Sequence, residues 1–158
     1  VKQQWGGNIS KWKAWACIVR AHELKFGTWQ SSVMELPRYL EELKFSNPGT
    51  VIEWEHNKDA RGQNLFKYVF WAFGFAIQGF KFCRPVLCID ATHLYGSYNY
   101  KLLVCVGIDA SNCIFPVAYA FVHGESEEDW EFFIRQLDRH VICGRNDVCM
   151  ISDRSSGL

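Results

Sequence analysis

The stretch Val86-Leu87-Cys88-Ile89-Asp90 is a short, continuous apolar run that ends on an aspartate. Such a run is typical of a central β-strand that is covered on both faces. Two more strand-like runs follow, at Lys101 to Asp109 and at Ile114 to His123, and the turn residues Ala110-Ser111-Asn112 separate them. Because short connections join successive strands, we expect these three runs to form an antiparallel meander.

The segment after the meander predicts a helix and a fourth strand. Ser126 is followed by three acidic residues that suit the positive end of a helix dipole, and Trp130 and Leu137 belong to one apolar stripe. Val148 to Ile151 is again fully apolar, and Asp153 follows it closely. Parallel strands need a crossover of this kind, so we expect the fourth strand to pair with the first. The predicted fold is a mixed α/β sheet in the order strand-strand-strand-helix-strand.

The region before residue 80 is rich in aromatic residues and mainly helical in pattern. Ser10 can cap a helix that ends near Phe26 and Gly27, and Val51 to His56 is typical of a short strand. Six of the seven tryptophans lie in this region, and at helical spacing we expect them to pack in a core. Stacking on nucleic-acid bases is the alternative, and it requires exposed rings in a basic groove. We therefore divide the chain into residues 1–79, mainly helical, and residues 80–158, the mixed sheet.

Composition favours a folded protein. Of the 158 residues, 49% are hydrophobic and only 22% are charged, which excludes intrinsic disorder. The apolar runs are too short or too interrupted to span a bilayer, and no secretory leader opens the chain. Since the first residue is Val1 rather than Met, we expect the N-terminus to be cut. The net charge of zero conceals a front part, residues 1–82, that carries +4 and a back part that carries −4.

The seven cysteines do not follow the pattern of a disulfide framework or a zinc site. Their number is odd, and no two of them have CxxC spacing. Cys88, Cys105 and Cys149 each lie inside an apolar run, where a thiol acts as a small hydrophobic group. We expect reduced, buried cysteines of an intracellular protein.

Asp90 and Asp153 are the candidate site residues. Each comes just after an apolar run, and the carboxyl ends of parallel neighbours meet at one edge of a sheet. Two close carboxylates repel each other unless a cation lies between them, and oxygen ligands favour Mg²⁺ or Mn²⁺. An aspartate after a strand also serves as a turn former or a helix cap, so spacing alone leaves both interpretations open. His93 is likewise either a phosphate contact that helps to position Asp90 or a local hydrogen-bonding residue.

Residues 80 to 158 resemble the transposase domain of plant Mutator-like elements. The motifs that carry the resemblance occur in order along the chain: Cys83-Arg84-Pro85-Val86, Asp90-Ala91-Thr92-His93-Leu94, Gly96, Tyr98, Leu102-Leu103-Val104, Ile114-Phe115-Pro116-Val117-Ala118, Glu125-Ser126, Trp130, Phe133 and Ile151-Ser152-Asp153-Arg154. Upstream motifs also resemble the region that precedes that domain: Phe26-Gly27-Thr28-Trp29, Leu36-Pro37-Arg38-Tyr39-Leu40, Asn47-Pro48-Gly49-Thr50 and Phe70-Trp71-Ala72-Phe73-Gly74.

The resemblance implies an RNase H-like fold and a DDE triad that uses Mg²⁺ or Mn²⁺ to cut and rejoin transposon ends. By position, Asp90 resembles the first acid of the triad and Asp153 the second, with His93 and Arg154 as candidate phosphate or positioning contacts. The third acid of the family is a glutamate on a later helix. We therefore expect residues 80–158 to be an incomplete domain that is inactive by itself.

The resemblance also implies partners and a compartment. It predicts binding to DNA, both terminal inverted repeats and target DNA, a nuclear location, and a homo-oligomer in the full-length protein. Two alternatives to a working transposase stay open. One is a domesticated nuclear DNA-binding regulator similar to the far-red-impaired response proteins, and the other is a relic of a dead element without function.

Overall fold

The fold is described from a computed structural model, in which residues 9–94 and 100–153 are described. The chain divides into two compact units, residues 1–38 and residues 39–158. In the described ranges, no helix is both long enough and apolar enough to cross a membrane.

Two helices lead the chain. Helix α1, Lys11–Phe26, begins where the Ser10 hydroxyl accepts the Lys13 N–H, and it ends at Gly27, whose φ of 84° a glycine adopts readily. Helix α2 spans Trp29–Ser46. None of the residues of α1 is buried, and Trp12 is 78% exposed. The prediction of core packing is therefore wrong for the α1 tryptophans, because the apolar residues of this helix do not gather into one buried stripe.

A six-stranded sheet forms the second unit. Its elements, in chain order, are β1 (Val51–Lys58), β2 (Asn64–Ala72), α3 (Gly74–Phe80), β3 (Val86–His93), β4 (Lys101–Ile108), β5 (Ile114–Val122), α4 (Glu127–Leu137), a π-helical turn (Asp138–Ile142) and β6 (Cys149–Ser152). The strand order across the sheet is β1-β2-β5-β4-β3-β6. Strands β3, β4 and β5 form the predicted antiparallel meander, and β6 pairs in parallel with β3. The mixed α/β fold class is thus confirmed.

Strands β1 and β2 extend this sheet beyond β5. Three residue pairs join β2 to β5, and β2 pairs with β1 along its whole length. Lys67 on β2 ties this end of the sheet to α4, since its ammonium lies 3.1 Å from Glu55 on β1 and 2.6 Å from Glu128 on the helix. Strands from both sides of residue 80 therefore belong to one sheet. The predicted division of the chain into residues 1–79 and 80–158 stays a prediction.

The core lies between one face of the sheet and α4. Leu87, Ile89, Leu103 and Cys105 point from the central strands into this core, where the largest buried side chains of α4 are Trp130 and Phe133. Helix α4 carries a capping box: the Ser126 hydroxyl accepts the Asp129 N–H, and the Asp129 carboxylate accepts the Ser126 N–H. The helix thus starts where the acidic residues after Ser126 predict.

All seven cysteines are free thiols, and their burial differs. Cys105 is buried as predicted, because it faces the core from the central strand β4. Cys88 is only half-buried, since it lies on the other face of β3. The prediction of a buried Cys149 is wrong, because β6 is an edge strand and this residue shares the face of Cys88.

Candidate metal and nucleic-acid site

Strand β3 presents two different faces. Leu87 and Ile89 are buried in the core, whereas Asp90 is exposed on the other face of the sheet. Sequence placed Asp90 just after the end of its strand, and this placement is wrong: β3 continues to His93, and Asp90 pairs with Val104 of β4. Pairing with β4 extends the strand beyond its apolar run. Asp90 is therefore held by regular backbone pairing rather than by a loop.

The parallel pairing of β3 with β6 brings the two aspartates together. The last residue pair of this ladder is Ile89 with Ser152, so Asp90 and Asp153 are the next residue on each strand. Neighbouring strands are about 4.8 Å apart, and the register continued by one residue places Asp153 beside Asp90. Both residues are exposed. The strand register therefore places positions 90 and 153 next to each other, and their role as site residues stays a prediction.

An open groove of about 400 Å³ adjoins Asp90 on the face of the sheet opposite the core. Its walls are mostly apolar, and it is lined by Cys88, Asp90, Ala91, Thr92, Val104, Val106 and Ile114. One oxygen of the Asp90 carboxylate, Oδ1, accepts the N–H of Ala91 at 2.8 Å. The groove therefore has a single carboxylate at its rim, with an apolar floor beneath it.

His93 does not share this groove. His93 pairs with Lys101 three residues after Asp90, and alternation along a strand puts it on the opposite face of the sheet. Arg154 lies outside the described residues, so its predicted role stays a prediction. Thr92 was not among the residues that the sequence predicted for the site, yet it is exposed, shares the face of Asp90 and lines the groove. Its spacing of two residues from Asp90 was the available signal, because residues i and i+2 of a strand point to the same side.

The pair of aspartates suits a hard divalent cation. Carboxylate oxygens are the ligands that Mg²⁺ and Mn²⁺ prefer, and a cation between two acids removes their mutual repulsion. Within residues 9–94 and 100–153, no group of three or more histidine, cysteine, aspartate or glutamate side chains gathers as a complete metal cage. The described residues therefore contain two acidic residues at neighbouring strand positions rather than a complete cage.

Fold and site together define a mixed α/β domain in which the last residue pair of the parallel β3–β6 ladder immediately precedes two acidic residues. Residues 86–158, just under half of the chain, match the family model of the MULE transposase domain. The match begins at the first residue of β3 and includes both aspartates. The resemblance to Mutator-like transposases is thereby confirmed for this segment. No curated protein and no solved structure is significantly similar to it.

Proposed function

We propose that the sheet from β3 to β6 is the front part of an RNase H-like catalytic core, and that Asp90 and Asp153 are two of its metal-binding acids. The observation that carries this proposal is the register of the parallel pair, which ends immediately before both aspartates. Three antiparallel strands, a helical crossover and a fourth strand parallel to the first give the topology that the proposal requires. The reaction would be metal-dependent cleavage and transfer of DNA strands at transposon ends.

The residues of this chain would divide the chemistry as follows. Asp90 and Asp153 would hold Mg²⁺ or Mn²⁺, which when bound activates the attacking oxygen and stabilises the leaving oxygen of a phosphodiester. Two bare carboxylates repel a DNA phosphate, so the acids need the cation before they can approach the substrate. Thr92 lies two residues from Asp90 on the same face, where its hydroxyl would donate a hydrogen bond to a phosphate oxygen.

The first experiment measures Mn²⁺ binding to the whole chain by calorimetry, with Asp90→Asn and Asp153→Asn as the test variants. Each should weaken Mn²⁺ binding by about tenfold or more, because each removes one anionic ligand from a shared ion. Glu131→Gln is the matched control: it also converts an exposed carboxylate into an amide, but on α4. Equal Mn²⁺ affinity of the wild type and both test variants would refute the proposed metal site.

A second measurement separates catalysis from binding. We expect the chain alone to bind duplex DNA without joining strands. Joining requires a third acidic ligand, and the described residues provide two. Metal-dependent joining of transposon ends by the purified chain would contradict this expectation. DNA binding that is indifferent to Mn²⁺ and to Asp90→Asn would instead favour the alternative of a DNA-binding regulator.

A further inference from the structure

Helix α1 presents an exposed surface that combines aromatic and basic side chains. Trp12 and Trp15 are 78% and 59% exposed, and their rings lie edge to face at 6.0 Å. The helix carries four basic residues and one acidic residue. A helix with this charge and no buried residue fits a polyanionic ligand better than a protein core.

The first turn of α1 is unusual in its charge. Lys11 and Lys13 lie at the positive end of the helix dipole, and the turn holds no acidic residue. This placement weakens a helix by itself, whereas α4 has three acids in the same position. In the described part of the chain, neither lysine forms an ion pair. Both are thus available to a phosphate, which the helix dipole would also attract.

The arrangement around the helix axis points to double-stranded DNA. Since 3.6 residues complete a turn, Lys11 and Lys13 project roughly 100° to either side of Trp12. A helix is about 10–12 Å across and the major groove is about 12 Å wide, so a helix in that groove has a phosphate backbone on each side. We propose that α1 binds duplex DNA, with Trp12 directed into the major groove and Lys11 and Lys13 on the two flanking backbones.

An anionic membrane is the competing ligand for a basic, aromatic helix. Glu23 argues against it, because eleven residues after Trp12 it returns to nearly the same side of the helix. Its carboxylate would then enter the lipid face together with its partner Arg20, which lies 3.0 Å away. In a hydrated DNA groove this pair remains in water, and Arg20 offsets the repulsion between the Glu23 carboxylate and the phosphates.

The test measures binding of a labelled 30-base-pair duplex of arbitrary sequence to the whole chain by fluorescence anisotropy over a range of salt. The double variant Lys11→Ala/Lys13→Ala should lower the slope of log affinity against log salt by about 2 and weaken binding at 0.1 M salt by about 50-fold. Lys58→Ala/Arg61→Ala is the matched control, since it removes two exposed charges, one from the last residue of β1 and one from the connection to β2. The control should keep the wild-type slope.

Trp12→Ala tests the aromatic contact separately. It should reduce duplex affinity by about tenfold without changing the salt slope, as expected for about 60 Å² of lost apolar contact. Three outcomes would overturn the proposal: equal slopes for the α1 variant and the control, tighter binding of a single strand than of the duplex, or binding of anionic vesicles in place of DNA. The Mn²⁺ affinity of the Lys11→Ala/Lys13→Ala variant should equal that of the wild type, so failure here is distinct from failure of the aspartate site.

Discussion

The substitution Asp129→Asn should destabilise the connection that carries the chain from the meander to β6. Asp129 is only 3% exposed, and its Oδ2 accepts the N–H and the hydroxyl of Ser126 at 2.9 Å and 2.6 Å. The amide keeps the shape of the side chain but removes the charge from both hydrogen bonds and from the positive end of α4. Since a capping interaction and a partly buried charge at a helix start each contribute about 1 kcal/mol, we expect a loss of about 2 kcal/mol.

The measurement is urea unfolding at pH 7, followed by far-ultraviolet circular dichroism. Ser126→Ala should lower the free energy of unfolding by about 1 kcal/mol, and the double variant should cost less than the sum of the two single variants, because the two side chains bond to each other. Glu127→Gln is the control, since Glu127 is an exposed acid in the same first turn. It should change the free energy by about 0.5 kcal/mol or less.

The effect of Asp129→Asn should also depend on pH. Burial by itself would raise the pKa of Asp129, but hydrogen bonds from Ser126, from Tyr68 and from the backbone of His123 together outweigh burial and lower the pKa below its ordinary value. A lowered pKa in the folded state stabilises the protein above the unfolded pKa of about 3.9, and this stabilisation is lost as the pH falls through the folded value. The difference between wild type and Asp129→Asn should therefore shrink below about pH 4. A difference that stays constant from pH 7 to pH 3, or an equal loss in Glu127→Gln, would refute the reasoning.

Two further predictions concern backbone packing and thiol access. Gly74→Ala should lower the free energy of unfolding in urea by about 2 kcal/mol, because the added Cβ would lie 2.3 Å from the carbonyl oxygen of Pro48. Gly124→Ala is the control and should be almost neutral, because the nearest atom to its added Cβ would be 3.5 Å away. Cys149 should react with a maleimide in the folded protein, while Cys105 should react only after unfolding, since burial excludes the reagent and raises the pKa of its thiol. Equal loss in the two glycine variants, or equal labelling rates of the two thiols, would contradict these predictions.

The sheet from β3 to β6 was predictable because its signals are local. Apolar runs mark the central strands, short turns force antiparallel neighbours, and a helix between two strands permits parallel pairing. The two aspartates could be placed on neighbouring strands for the same reason, since Asp90 follows its apolar run directly and only Ser152 separates Asp153 from its run. What the sequence could not supply was the length of β3. Pairing with β4 extends β3 past Asp90 to His93. The apolar run of β3 contains no information about how far β4 extends beside it.

Burial outside the central strands was less predictable. The spacing of Trp12 and Trp15 on α1 is compatible with a packed stripe, but a stripe needs an opposing surface, and the sequence of one helix does not contain it. Cys149 shows the same limit for strands. Its apolar neighbours predict burial, yet β6 lies at the edge of the sheet, which leaves one side of the strand open. Whether a strand lies at the edge or in the centre depends on the other strands of the sheet.

The alignment of Asp90 with Asp153 depends on the register of β6 rather than on the sequence distance between the two acids. A shift of β6 by one residue would move every side chain to the other face of the sheet. Packing opposes such a shift, because Met150, which pairs with Leu87, lies against the core, whereas its neighbour Ile151 is 51% exposed on the other side. A shifted strand would expose the methionine and press the β-branched isoleucine into a space shaped for an unbranched side chain. The hydrophobic core thus specifies the position of Asp153, and Met150 therefore matters to the proposed metal site without touching Asp153.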